Sequence, residues 1–144
     1  MTQLKKEFEN KFLVPEMKIA ESESWVWSLR PHQATLGAGI LSLKRGCSTF
    51  AELYPDEFCD LTEIIKTIEK TLKQSFDYDV INYLMLMMVD KQVHFHVIPR
   101  YENSIQFNDE TWIDEGWPTM PNLLGEPLTI EKLEKILCYV KTNL

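Results

Sequence analysis

Gln92-Val93-His94-Phe95-His96-Val97-Ile98-Pro99-Arg100 carries the period of a strand rather than of a helix. Residues two apart on a strand share a face, so Gln92, His94, His96, Ile98 and Arg100 point one way and Val93, Phe95 and Val97 the other. The apolar set suits packing against a helix. The polar set suits a pocket, because burying two imidazoles, an amide and a guanidinium without partners is costly. Pro99 has no amide to donate, which ends the strand there or puts it at a sheet edge.

Upstream, Val80 to Val89 keeps the strand period up to a break at Asp90-Lys91, so the two runs read as a hairpin with a two-residue turn. In that register Met87 faces His94 and Asn82 points away from the histidines. A three-residue or bulged connection reverses the parity. Before the hairpin, Pro55 suits a first helical position, and Phe58, Leu61, Ile64, Ile65, Ile68, Leu72 and Phe76 recur at three and four, predicting a helix over Pro55 to Phe76. Thr49 and Glu52 fit a capping box for a short turn ahead of it. Ser24 to Leu29 and Gly37 to Lys44 read as strands, with Gly37 and Gly39 permitting close approach of a ligand or another backbone. Leu4, Phe8 and Phe12 predict a short helix over Thr2 to Phe12, and Thr129 caps a helix that buries Ile130, Leu133, Ile136, Leu137 and Val140.

The chain has 144 residues, 44% hydrophobic and 26% charged, enough to bury one core without staples. Cys47, Cys59 and Cys138 are an odd number at wide spacings, without a CxxC pair, which points to a reducing cytoplasm. Met1 to Phe12 alternates charge with apolar residues, unlike a secretory signal. The longest apolar run, Tyr83 to Val89, is too short to span a bilayer. The net charge of −7 argues against a nucleic-acid binder working through a broad cationic surface. Glu102, Asp109, Glu110, Asp114, Glu115, Glu126 and Glu131 fall in a stretch with no Lys or Arg, so an anion site is expected elsewhere, served by Arg30, Lys44, Arg45, Lys91 or Arg100.

Three readings compete for His94 and His96: histidines hydrogen-bonded in a polar sheet face, a metal site, or nucleophilic chemistry on a phosphate. His-x-His can chelate zinc, but a third ligand would have to come from His32 or Glu102. Neutral imidazoles beside a guanidinium suit a phosphate ester or anhydride, since an unperturbed histidine has a pKa of about 6.5 and is largely neutral at pH 7.

The whole segment resembles the histidine triad (HIT) superfamily, whose motif is His-φ-His-φ-His-φ-φ on a strand, often followed by Pro-Arg. The resemblance extends from Trp25 to Tyr101, with Leu36-Gly37 where the family often has Pro-Gly. It is nearest to small bacterial members with a Tyr-Leu-Met-Leu-Met-Met-Val-Asp strand, here Tyr83 to Asp90. It implies that His94 is the nucleophile attacking the α-phosphorus of a nucleotide, and that His96 supports the phosphate or His94. Gln92 takes the place of the family's first histidine, and its amide cannot exchange a proton near neutral pH. The Gly-Gln-Ser/Thr stretch of many members is replaced by Asp90-Lys91. Asn82 matches a polar position on the preceding strand and Arg100 has the parity of the site; Arg30, His32 and Gln33 fall where members contact base and ribose.

The expectation is an α+β fold, a HIT-like antiparallel sheet with the long helix on one face and a C-terminal helix. It forms one domain over 1–144: a core of about 24–101, an acidic Trp/Pro-rich loop over 102–128 and the terminal helix over 129–144. The resemblance implies a homodimer that hydrolyses or transfers a dinucleoside polyphosphate or nucleoside phosphoramidate; no cofactor and no resident metal are expected, and the charge and apolar run lengths add the expectation of neither nucleic acid nor membrane as a partner. The alternative is a nucleotide-binding or interaction module that has lost turnover.

Overall fold

A computed structural model describes residues 4–144. Helix α1 runs over Lys6–Phe12, so the start of the expected helix, Thr2 and Gln3, lies outside the described residues. Five strands follow, β1 (Lys18–Glu21), β2 (Trp25–Leu29), β3 (Gly39–Leu43), β4 (Val80–Leu84) and β5 (His94–Arg100), and they form one antiparallel sheet in the order β1-β2-β3-β5-β4. Between β3 and β4 lies α2 (Pro55–Phe76), with the boundaries its periodicity predicts. The terminal helix α3 covers Ile130–Thr142, capped by the Thr129 hydroxyl, which accepts from the Lys132 amide. Ile130 itself is exposed rather than buried, since the first turn of α3 projects past the core.

The sheet has two different faces. On one, Trp25, Trp27, Leu29, Leu41, Leu43, Val93 and Val97 form a core with Ile64, Ile68 and Leu72 of α2 and Leu133, Ile136 and Val140 of α3. On the other, Val26 and Ile40 pack with Phe8 and Phe12 of α1 and with Val14. The histidines lie on this second face, in register with β3, Ser42 opposite His94 and Ile40 opposite His96. Gly37 has a positive φ of 90°, and a Cβ there would press Phe76 at 3.1 Å. Gly39 admits the indole of Trp27, whose Nε1 would stand 2.8 Å from an added Cβ; the close neighbour is an adjacent strand.

The structure departs from the sequence reading at further points. The strand β1 was not foreseen, its alternation being too short to register beside α1. Thr49 caps no backbone amide, because its hydroxyl bonds the Glu52 carboxylate directly. The two-residue hairpin does not exist: β4 stops at Leu84, and residues 85–93 form a loop in which Met87 has a positive φ of 49° and Met88 and Val89 are exposed. The register pairs Asn82 with Ile98, so Asn82 stands on the histidine side. The acidic segment is also not wholly irregular, since Ile105–Phe107 (β6) and Glu110–Trp112 (β7) pair across Asn108-Asp109, both at positive φ. These residues tolerate the left-handed region that a tight hairpin turn demands.

Candidate active site

His94 and His96 project from β5 into a cavity of about 280 Å³, walled by Lys11 and Phe12 of α1, by Arg30, by the 86–90 loop and by Leu123 and Leu124. Alternation along β5 places both rings on this side, 5.0 Å apart between centroids. The Phe8 ring lies 4.9 Å from His94 and the Phe12 ring 6.3 Å from His96, so α1 roofs the pair. A 2.7 Å ion pair between Lys11 and Asp90 ties that roof to the loop.

The Nδ1 of His94 lies 2.5 Å from the backbone carbonyl of Gln92. A carbonyl can only accept, so Nδ1 carries the proton and Nε2 carries the lone pair. Burial holds the His94 pKa below the usual histidine value, only partly opposed by that carbonyl. His96 is pushed down to about 4, first by burial and then by its neighbour His94. Both rings are therefore neutral near pH 7. His96 Nδ1 is buried with no hydrogen-bond partner, a cost that the fold carries beside the cavity.

Gln92 is not part of the cavity wall. Its Nε2 donates to the carbonyls of Leu43 and Arg45, at 3.1 and 2.9 Å, and its Oε1 accepts from the Cys47 amide at 3.3 Å. The amide thus bridges the chain leaving β3 to the chain entering β5, while its own carbonyl orients His94. Gln92→Ala is expected to cost about 2–4 kcal/mol of stability in urea denaturation, because buried backbone groups lose their partners. Gln92→His is expected to destabilise as well, since an imidazole cannot match two donors and an acceptor at these three groups. A histidine variant of undiminished stability and raised turnover would overturn this account.

Of the loop residues, Arg30 reaches the cavity. It donates to His32 Nδ1 and to the His32 and Leu123 carbonyls, so among the described residues its partners are neutral and its charge is not cancelled by an ion pair. Because a guanidinium cannot accept, His32 Nδ1 is the acceptor, which leaves its contact with the Leu123 carbonyl without a proton to share. Burial, then the Arg30 charge, lowers the His32 pKa. His32 serves as a strut behind Arg30. Gln33 braces the β2–β3 connection, donating to the Arg30 and Ala38 carbonyls and accepting from the Gly37 amide, and does not line the cavity.

Arg100 and Asn82 stand farther along the same sheet face. Arg100 forms a bidentate pair with Asp114, Nε to Oδ2 at 2.7 Å and Nη2 to Oδ1 at 3.1 Å, and its Nη1 donates to Asn82 Oδ1 at 2.8 Å. The Tyr101 amide also donates to Asp114. Arg100 is thereby committed to the acidic segment and lies apart from the histidine cavity. Among the described residues no three His, Cys, Asp or Glu side chains gather as a metal-binding group, and no helix is long and apolar enough to cross a membrane.

Sequence reasoning missed the roof and the loop wall. The apolar face of α1 was visible at Phe8 and Phe12, but nothing local says which side of the sheet it covers. Met87 and Met88, readable as a strand interior, line the cavity because the chain leaves the sheet after Leu84.

Residues 38–103 match the model of the HIT domain. Among solved structures, a histidine triad protein from Sinorhizobium meliloti 1021 shares 22% identity over 100% of this chain and 98% of its own, with a TM-score of 0.76. A histidine triad protein from Marinobacter aquaeolei VT8 shares 21% over 100% and 96%, at 0.69. A hypothetical histidine triad nucleotide-binding protein from Sulfolobus tokodaii strain7 shares 17% over 88% and 82%, at 0.68. These likenesses concern the fold. No curated protein sequence matches.

Proposed function

The chain carries a HIT domain within a full histidine triad fold, and from that premise we propose that it is a nucleotide hydrolase or transferase acting through a nucleotidyl-histidine intermediate on His94. Proteins of this fold generally bind nucleotides and act on phosphoanhydrides. The observation that carries the reading is the tautomer of His94. The proton is pinned on Nδ1 by the Gln92 carbonyl, and the unprotonated Nε2 belongs to a ring lining a cavity that also holds the uncancelled charge of Arg30.

The reaction follows in two displacements. His94 Nε2 attacks the α-phosphorus; the Nε2–P bond forms, the bond to the leaving group breaks, and its electron pair departs with that group. Water then attacks the same phosphorus, the P–Nε2 bond breaks, the imidazole regains its lone pair, and the water's proton passes to solvent. An alcohol or phosphate acceptor in place of water gives transfer. Arg30 supplies positive charge for the phosphoryl oxygens, and His96, neutral and lining the same cavity, sets a polar ring beside the reacting phosphate. Intact mass analysis after rapid acid-free quenching with a dinucleoside polyphosphate or adenosine phosphoramidate tests the reading. A nucleotidyl adduct on His94 supports it; nucleotide binding with neither adduct nor released mononucleotide replaces it with the second reading, a binding module. That second reading is favoured by one observation, that the Gln92 amide is spent on backbone groups and offers the reaction no proton.

The acid limb of kcat/KM is expected below the ordinary histidine value near 6.5, because burial lowers the His94 pKa and keeps Nε2 unprotonated to lower pH. A pH–rate profile with its acid limb at or above 6.5 would contradict that environment. The proposal includes a cytoplasmic homodimer, in keeping with the open edge of the sheet at β4 and the exposed Val80, Leu86, Met88 and Val89.

A further inference from the structure

The two histidines line a cavity, yet they are almost entirely covered: His94 is 1% exposed and His96 8%. Attack on a phosphorus requires that atom within about 3–3.5 Å of Nε2. An exposure of 1% leaves no room for a phosphoryl group there, and the rings standing over His94 are those of α1, Phe8 at 4.9 Å and Phe12 at 6.1 Å between centroids. For His94 to react, α1 has to move.

The attachments of α1 are slight. Phe8 and Phe12 belong to a small cluster with Val14, Val26 and Ile40, separate from the main core that α2 and α3 help to build. Lys5, at the N-cap, makes no capping bond through its side chain; its Nζ donates to the Ser48 hydroxyl and, at 3.4 Å, to the Lys91 carbonyl, both exposed contacts. The helix ends at Leu13 in the left-handed conformation, with φ 51° and ψ 42°, and beyond it Met17 is fixed in the main core. A residue at the end of an element is where a hinge absorbs its change of φ and ψ.

Lys11 and Asp90 hold the cover down from the cavity side. Their side chains are 50% and 22% exposed and meet at 2.7 Å, so a competing anion can displace the carboxylate. Both residues also line the histidine cavity. Asp90 repels a phosphate there and Lys11 attracts it, while the flexible four-carbon stem of Lys11 lets its ammonium stay at the cavity as the helix moves. Neither residue lies on the edge strand β4 or among the exposed apolar residues beside it.

We propose that Lys11 is a further substrate-binding residue and that α1 is the cover it controls: the substrate's phosphates take Lys11 from Asp90, and the released helix turns on Leu13 to uncover His94. The proposal rests on the nucleotidyl-transfer reading of His94 given above.

Two measurements on the wild type, Lys11→Met and Asp90→Asn test it. The first is carbethoxylation by diethyl pyrocarbonate at pH 7, which uses the same Nε2 lone pair, resolved by peptide mass. Each variant is expected to raise the rate at His94 about twofold to fivefold, the scale of one exposed ion pair, and to leave His32, whose ring packs on Gly125, unchanged. An unchanged rate at His94, or an equal rise at His32, overturns the cover. The second is calorimetry with inorganic tripolyphosphate, which carries phosphates and no base. Asp90→Asn is expected to bind it more tightly than the wild type and Lys11→Met less tightly, each by about twofold to fivefold, whereas affinities that do not diverge, or no binding at all, overturn the role of Lys11. Should both results hold while no nucleotidyl adduct forms, the cover and its lysine stand and the catalytic reading alone fails.

Discussion

His94→Ala is expected to lower turnover of a dinucleoside polyphosphate by about a thousandfold or more and to abolish the nucleotidyl adduct, because no other group in the cavity presents a comparable nucleophile. His96 is the nearest competitor, and ring contacts with Phe12 and His94 hold it in place, but no hydrogen bond fixes its tautomer: its Nδ1 has no partner, whereas that of His94 is held by the Gln92 carbonyl at 2.5 Å. His96→Ala is accordingly expected to keep the adduct while slowing its formation by about a hundredfold, the scale of removing one preorganised polar contact from a transition state. Mononucleotide release by chromatography, with intact mass of each variant, reads both effects. Undiminished turnover in His94→Ala would sink the mechanism, and an adduct persisting in that variant would move the nucleophile elsewhere. The fold should survive either change, since neither side chain is a hydrogen-bond donor to any described backbone group outside residue 92.

Asp114→Ala is expected to be among the most destabilising substitutions in the protein. Asp114 and Arg100 have side chains only 1% and 5% exposed, and their carboxylate–guanidinium contact is doubled. Removing one partner leaves the other charge buried without compensation, which costs about 3–5 kcal/mol in comparable settings. For a chain of this length that corresponds to a fall in Tm on the order of 10 °C or more. The Tyr101 amide loses its acceptor in the same step. Lys66→Ala, which removes an exposed partner of Glu63, is the control and is expected to change stability by less than about 1 kcal/mol. Thermal and urea denaturation of the two variants decide the matter; a loss in Asp114→Ala no larger than in the control would show that water, not Asp114, solvates Arg100.

These expectations draw on two kinds of information. Elements whose stabilising pattern is local were legible: α2 shows its apolar face at three and four from Phe58 to Phe76, with Pro55 at its first position, and the structure has the same limits. The alternation in Gln92 to Arg100 placed Phe95 and Val97 on the core face and His94 and His96 together on the other. The HIT resemblance, carried by that same segment, led to the fold.

The partners of each polar side chain were not legible, because they lie far along the chain. Gln92 and Arg100 both carry the parity of the site, yet the first is consumed by Leu43, Arg45 and Cys47 and the second by Asp114. The apolar run Tyr83 to Val89 could not announce that the sheet ends at Leu84, since the same residues that continue a strand also wall a cavity. By itself the sequence determined which segments form helices and strands and which residues share a face, because backbone periodicity and side-chain polarity act over a few residues. Only the tertiary structure decided which of those faces is roofed by α1, which cations are paired and which residues wall the histidine cavity, because burial, charge pairing and cavity shape arise between segments brought together across the whole chain.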